Sequence, residues 1–574
     1  MRIFQTGILI VQTKLLFTLP IAAVGAAAAL HATAYLHGEA KKHLFRFWAF
    51  FLATLASMLA VVYAPGKLTF LLAWEAMGLS SAGLVAFENT EKPVRRATWI
   101  YLLACHAGAC ALMLAGVLLN SPDAFLAAFF CAIVGFGLKI GFPPFHVWLP
   151  EAHPAAPAPA SAVMSGAMIP LGFYGLLNFF WPVCTAVPYN TTAGLTLIAL
   201  GVAGAIGGIL FALPQANLKR LLAFSSVENM GVIAMGLGLA LVANSRDGGS
   251  LFSEIYVLSF TGALVHVLNH ALLKGALFLG AGSILRQTGT LDQDRLGGLM
   301  KRMPFTGTLF TLNALGLAGL PPLNGFLGEL LIYTAGFLAV RSGSPLLVAA
   351  GFTVLAALAF TGGLAAAAYC KAIGATFLGE PRSKDAADAV ETPKRMWIAQ
   401  LALFLGSVAM IPGTIFIVHT FAVGIGENVL LTAATIGGAL VLLTAALIGL
   451  RRFLCPRGAD KPQCPTWDCG YHEPTARMAY TATAFTQPLA DLFAFALRPR
   501  KHLIPFRGHP AAPTDAALVT ETDDRALAGF WRPLFTFFAR VFQRAHLLQS
   551  GSLHLYILLI LITVVVLLVA AFAS

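Results

Sequence analysis

The sequence predicts an all-α polytopic membrane protein of roughly 14 transmembrane helices, with two inverted repeats that each carry a broken helix. Three observations predict it. First, 58% of the 574 residues are apolar and only 11% are charged, less than half the usual charged share of a soluble domain. Too few charged residues exist to cover several soluble domains. Second, the apolar residues fall in long runs, not in the short alternating segments of a β-barrel. Third, the glycine–proline device G-x-P-P occurs twice, as Gly141-Phe142-Pro143-Pro144 and Gly319-Leu320-Pro321-Pro322. Composition therefore excludes a soluble enzyme, a fibrous protein and a disordered chain.

In chain order, residues 1–64 hold two N-terminal spans, near 15–36 and 47–64. The basic start and small residues of 1–35 also fit a signal peptide, but the apolar run is long for one. Residues 65–182 form a first half, with spans near 68–88, 98–119, 124–149 and 160–182. Residues 191–378 form a second half, with spans near 191–213, 218–242, 256–285, 305–341 and 346–378. C-terminal spans follow within 397–450, at 397–418 and 428–450. Residues 451–551 are a polar tail, and 552–574 hold a last helix. Within the tail, Phe530, Trp531, Leu534, Phe535, Phe538, Val541 and Phe542 recur at helical spacing between Arg532, Arg540 and Arg544. That pattern predicts an amphipathic helix lying on the membrane or on a neighbouring protein.

Charge supports this division. There are 37 Lys+Arg against 25 Asp+Glu, a net charge of +12. The excess reads as loop charge that sets orientation, not as a nucleic-acid surface. Lys41, Lys42 and Arg46 follow the first span. Lys92, Arg95 and Arg96 follow the third, Lys219 and Arg220 the seventh, and Arg286, Arg295, Lys301 and Arg302 the ninth. Arg382, Lys384, Lys394 and Arg395 follow the eleventh. These loops share one side, cytoplasmic by the positive-inside rule, only if each broken run crosses once. Cys455, Cys464 and Cys469 cluster in the tail at a spacing that matches no zinc or iron–sulfur pattern. No cofactor is expected in this chain.

A proline pair removes helical donors, and glycine lets the backbone bend. A helix broken at membrane depth is tolerated only where it lines a cavity or is buried in protein. Paired breaks in two halves point to a transport site between inverted repeats. Ionisable residues inside the spans are functional candidates because lipid penalises them. They are Glu75, Lys139, Glu228, His266, His270, Lys274 and Glu329. His266, His270 and Lys274 recur every four residues and so share one helix face. Burial disfavours a charged lysine and a nearby carboxylate restores it. A carboxylate ~4 Å away contributes about 4 kcal/mol at an effective dielectric of ~20. Moving it switches the lysine between holding and releasing a proton. Interhelical polar glue is the alternative for any single residue. His146, Glu151 and His153, just after the first break, either line a proton access path or cap a loop.

At these residues the chain resembles a known family. WEAMGLSS, KIGFPPFHVWLPEAHPAAPAPASAVMSG, LKRLLAFSSVENMG, HVLNHALLKGALFLGAGSI and LPPLNGFLGE are similar to the antiporter-like subunits of complex I, Mrp cation/proton antiporters and membrane-bound hydrogenases. SSVENMG, KRMPFTG, PPLNGF, TWDCGY and LQSG look most like the hydrogenase-4 and formate-hydrogenlyase branch. The resemblance implies a proton-translocating subunit with no redox or catalytic centre of its own. It sits in a bacterial or archaeal cytoplasmic membrane, with other membrane subunits and peripheral hydrogenase- or complex I-like redox subunits as partners. It makes 65–182 and 191–378 the two antiporter halves and likens the tail helix to a lateral helix. Carried across, Glu75 pairs with the pumping Lys139. Lys274, His266 and His270 serve the second half, and Glu329 ends the axis. Two departures stand out. Pro170 occupies the place of a usual lysine, leaving water or Tyr174 to bridge, and the family has about two further spans before this chain begins. The alternatives are a cation/proton antiporter, a degenerate structural subunit and a membrane partner in inorganic-carbon uptake.

Overall fold

The computed structural model describes residues 2–185, 189–244, 249–422, 427–454, 480–509, 512–522, 524–545 and 561–562. The chain divides into two compact units, Met1–Thr522 and Asp523–Ser574. In the first unit α1 (Arg2–Tyr35), α2 (Lys41–Tyr63), α3 (Lys67–Val85) and α4 (Lys92–Leu118) lead to the first broken run. That run is α5 (Phe125–Ile140), a 3-10 turn at Phe145–Trp148 and α6 (Leu149–Ala155). Then come α7 (Ala158–Val163), α8 (Leu171–Phe179), α9 (Trp181–Cys184), α10 (Tyr189–Ala212), α11 (Leu218–Ala243) and α12 (Gly249–Thr288). After the short α13 (Leu299–Arg302), the second broken run is α14 (Pro304–Leu317) and α15 (Asn324–Val340). α16 (Pro345–Phe377), α17 (Lys384–Asp388), α18 (Lys394–Ala422) and α19 (Glu427–Leu454) follow. The tail of this unit holds α20 (Ala482–Leu492), α21 (Ala494–Leu497) and an antiparallel hairpin of β1 (Arg500–His509) and β2 (Ala512–Glu521). The sequence reading of the tail did not anticipate this hairpin.

The protein is a multi-pass helical membrane protein. Among the described residues 12 helices are long and apolar enough to span a bilayer. Two of the expected runs are not among them. Residues 305–341 appear as α14 and α15, each too short alone, and 552–573 lie outside the described residues except 561–562. Cys455, Cys464 and Cys469 also lie outside them.

Both breaks form as the G-x-P-P spacing predicts. Gly141 (φ 86°) ends α5 and Gly319 (φ 69°) follows α14. This left-handed backbone carries no penalty only for glycine. Pro143–Pro144 and Pro321–Pro322 are both cis.

The basic loops gather at one end of the bundle, as the charge pattern requires. Arg286 Nη2 donates to His37 O at 2.9 Å, joining the end of α12 to the loop after α1. Leu218 N donates to Leu291 O at 3.0 Å and Gly298 N to Leu378 O at 2.9 Å. Arg382 Nη2 donates to Gln293 O at 2.8 Å, and the His43 and Phe87 rings meet at 6.0 Å. Burial raises the Asp292 carboxyl above its ordinary range in the same cluster. At the far end Asn190 Nδ2 donates to Asn244 O at 2.6 Å and Asn244 Nδ2 to Thr185 O at 2.6 Å. The first broken run therefore travels toward the basic end and the second away from it, as inverted repeats demand.

α11 is buried from end to end apart from Arg220. Glycines on α10 let its backbone lie directly on α11: a Cβ at Gly208 would sit 2.5 Å from Glu228 N. Small residues at such contacts are how membrane helices approach closely. The packing fixes α11, and with it Glu228, at the centre of the bundle.

In the second unit a π-turn at Leu527–Trp531 leads into α22 (Arg532–Ala545). This is the amphipathic helix that the spacing of Phe530, Trp531, Leu534, Phe535, Phe538 and Val541 predicts. Phe530, Phe537, Phe538 and Val541 are exposed in the isolated chain.

Candidate functional site

Lys139 lies one residue before the end of α5, at the first break. Its side chain is 4% exposed. Nζ donates to Tyr101 OH at 3.3 Å and to Cys105 Sγ at 3.4 Å. It also lies 5.3 Å from the Tyr101 ring centre and 5.7 Å from that of Trp74. Ring faces attract a cation through their quadrupole. Ser81 Oγ shares a 2.6 Å hydrogen bond with Tyr101 OH. A cavity of about 10 Å³, lined by Trp74, Ala104, Cys105, Lys139 and Trp148 among others, adjoins the ammonium. That is about the room one water needs.

Glu75 is not Lys139's partner. Its carboxylate meets His106 Nδ1 at 3.1 Å, which corrects the pairing the family resemblance implies. The reason is helical geometry. Adjacent residues point about 100° apart. Trp74 and Cys105 face the lysine, so Glu75 and His106, one position on, turn to the outer surface. There they are 30% and 52% exposed.

Lys274, midway along α12, is wholly buried. Nζ donates to Ser225 Oγ, to Leu222 O at 2.9 Å and to Tyr369 OH at 3.4 Å. Tyr369 OH in turn donates to Ser225 Oγ at 3.1 Å. Ser225, Glu228 and Asn229 share one face of α11. Glu228 accepts from Asn229 Nδ2 at 3.0 Å, and Asn229 Oδ1 meets His266 Nε2 at 3.1 Å. His270, between His266 and Lys274, is fully buried and neither ring nitrogen has a hydrogen-bond partner among the described residues. Asn269 Nδ2 donates to Asn324 O at 2.6 Å, and Asn324 Nδ2 returns a bond to Asn269 Oδ1 at 3.0 Å. These bonds pin the second break to α12. Glu329 folds back onto that break, since a Cβ at Gly319 would lie 2.8 Å from its Oε2.

The structure thus brings Glu228, His266 and Lys274 together, with His270 between the last two and Glu329 at the neighbouring break. Lys139 stands in a separate site, and Glu75 stands outside both. Between the sites, a π-turn at Met164–Met168 precedes Pro170. Tyr174 does not bridge there, because its hydroxyl donates to Val62 O at 2.6 Å. Instead Ser165 Oγ and Ser226 Oγ share a 2.9 Å hydrogen bond across the gap. π-turns recur at functional positions in helices.

Of the access residues, Glu151 forms an ion pair with Arg220 at 3.1 Å. His146 is 6% exposed, 6.1 Å from the Phe224 ring. His153 is fully buried against Phe278, ring centres 4.8 Å apart. Lys219 is not the solvated loop charge that the orientation pattern suggests. It is 1% exposed and donates to Ala156 O at 2.7 Å. Lys371 and His106 also lie inside predicted spans, where the same scarcity of charge that marks Lys139 marks them as candidates. Lys371 is buried and donates to Leu213 O and Gln215 O. Tyr101, Ser225, Asn229 and Tyr369 carry no such signal, because hydroxyls and amides are common in membrane helices. Among the described residues no three His, Cys, Asp or Glu side chains gather as a metal site would.

Residues 64–358, which span both breaks and both lysines, match the family model described as NADH:quinone oxidoreductase/Mrp antiporter, TM. The chain belongs to this family. Hydrogenase-4 component B of Escherichia coli (strain K12) is 35% identical over 558 residues, covering 90% of this chain and 82% of that protein. Formate hydrogenlyase subunit 3 of the same strain is 34% identical over 65% of this chain and 61% of its own length. The antiporter-family fold is also that of a chain in the membrane-bound sulfane sulfur reductase, an archaeal respiratory membrane complex. The match has a TM-score of 0.70 at 22% identity and covers 97% of this chain and 88% of that one.

Proposed function

We propose that this chain is the proton-translocating membrane subunit of a respiratory complex of the hydrogenase-4, formate-hydrogenlyase or complex I type, with Lys139 and Lys274 as its proton-holding groups. One observation carries the reading. Each half of the bundle buries a lysine whose described hydrogen-bond partners are neutral, Tyr101 and Cys105 in one, Ser225, Tyr369 and Leu222 O in the other. Neither ammonium is hydrogen-bonded to a carboxylate among the described residues, so charge that moves nearby acts on both. Glu228, His266, His270 and Glu329 extend the second site, and Ser165 with Ser226 serves the link that Pro170 interrupts. Glu151, His146 and His153 form the access side.

The outward Glu75–His106 pair supports a multi-subunit setting. Both residues lie near the middle of membrane helices, where charge facing lipid is costly. A neighbouring membrane subunit covers that face and exchanges charge with the pair. The energy comes from peripheral redox subunits, and the complex resides in a bacterial or archaeal cytoplasmic membrane.

The test is Lys139→Ala in the assembled complex. Redox-linked proton translocation is abolished while the subunits still co-purify. Normal translocation in that variant refutes the reading. Sodium or potassium flux in vesicles lacking an electron donor replaces it with cation/proton antiport.

A further inference from the structure

A second polar cluster lies away from the lysine sites, where α1 and α18 pack on the basic-end half of α12. His31 of α1 is fully buried, with Nε2 3.4 Å from Ser283 Oγ of α12. Gln400 of α18, also fully buried, donates from Nε2 to the same hydroxyl at 3.1 Å. Neither His31 Nδ1 nor Gln400 Oε1 has a hydrogen-bond partner among the described residues. The same is true of both ring nitrogens of His153, stacked on Phe278 about one turn back along α12. Gly282 makes the approach of the imidazole feasible, since a Cβ there would lie 3.1 Å from His31 Cε1 and 2.4 Å from Ala158 Cβ. Ala158 stands two residues after Ala156, whose carbonyl holds the buried Lys219 ammonium. Beyond Ala156 the Glu151–Arg220 pair opens toward the basic loops.

Buried polar atoms are almost always satisfied, by protein or by ordered water. Four such atoms lie along one stretch of α12, and ordered water is the usual partner of buried polar atoms that protein leaves unpaired. Phe278 is one turn after Lys274 on α12, so the stretch ends at the second lysine site.

We propose that His31 is a proton-relay side chain in a hydrated passage that runs along α12 from the basic-loop end, past His153, to Lys274. The inference rests on the proton-translocation reading above and adds a residue from the N-terminal spans, outside both antiporter halves. The relay step is balanced by tautomer exchange. One ring nitrogen takes a proton from a protonated water on the basic-loop side while the other releases one to a water on the Lys274 side, so the imidazole ends neutral with its tautomer exchanged. Ser283 and Gln400 position the ring.

His31→Gln in the assembled complex tests it. Glutamine keeps a polar bond to Ser283 but cannot exchange protons between two ring nitrogens. A relay predicts at least a tenfold loss of proton translocation with assembly intact; helix glue predicts parental rates, which would overturn the proposal. Ser283→Ala, which leaves the packing in place, gives a smaller loss under the relay and none otherwise. A cryo-EM map of the complex resolving water shows density within hydrogen-bond reach of His31 Nδ1 and Gln400 Oε1, and a dry site there refutes the passage. Lys139→Ala separates the two readings. Loss in Lys139→Ala with parental His31→Gln removes the passage alone, whereas parental rates in both remove the reading beneath it.

Discussion

Lys139 rests between two aromatic rings and a thiol, and the acid expected beside it is turned outward to His106. Lys274 rests on hydroxyls and a carbonyl, with Glu228 one turn along the same face of α11 that presents Ser225. On the proposed reading the first site is controlled from outside the chain, through the Glu75–His106 face, and it adjoins a cavity with room for about one water. The second has a buried carboxylate, Glu228, within the bundle. One fold, repeated with inverted direction, therefore places its acid differently in its two halves.

The largest effect that tests this difference is expected at Lys274. Lys274→Met fills a similar volume with a flexible apolar chain and removes a buried charge. Assembly and thermal stability should persist while proton translocation falls to background. Translocation at the parental rate would mean that Lys139 works alone and that the second half is scaffold. A smaller effect is expected for Tyr101→Phe. It removes the Tyr101 hydroxyl that accepts from Lys139 and joins Ser81. A hydrogen bond to a charged group is worth about 1.5–3 kcal/mol, so translocation should drop by about tenfold or more. Tyr369→Phe should cost less, because Ser225 and Leu222 O still hold Lys274. Equal effects of the two substitutions would contradict the contrast.

Much of this architecture was legible in the sequence, and the reasons are physical. Apolar runs, basic loops and the paired G-x-P-P breaks each answer to a strong constraint of the bilayer, so they fix spans, direction and repeat. Lys139, Lys274, Glu228 and Glu329 were visible because charge is scarce inside spans. Helix rotation was the hidden variable. Nothing in WEAMG states that Trp74 faces the lysine and Glu75 the surface, since that depends on how α3 packs against α4. The Ser165–Ser226 bond was hidden for a related reason. A π-turn shifts the register by one residue, and no spacing in MSGAMIP announces it. The β1–β2 hairpin sits in a tail whose composition reads as irregular, and polar strands lack the apolar alternation that marks a buried sheet.

The smallest and most discriminating test compares the break glycines. Alanine at either position adopts a left-handed backbone at a cost of about 1–2 kcal/mol, so both substitutions should lower the melting temperature of the complex by similar amounts. Their neighbours differ. A Cβ at Gly141 meets Leu149 Cδ1, the far end of a flexible side chain that can turn away. A Cβ at Gly319 lies 2.8 Å from Glu329 Oε2 and displaces a carboxylate at the end of the polar row. Gly319→Ala should therefore slow translocation by more than its loss of stability explains, while Gly141→Ala should slow it only in proportion to lost protein. Rates normalised to the amount of assembled complex separate the two. If both variants give parental normalised rates, the placement of Glu329 against the second break is packing alone, and the functional row ends at His266.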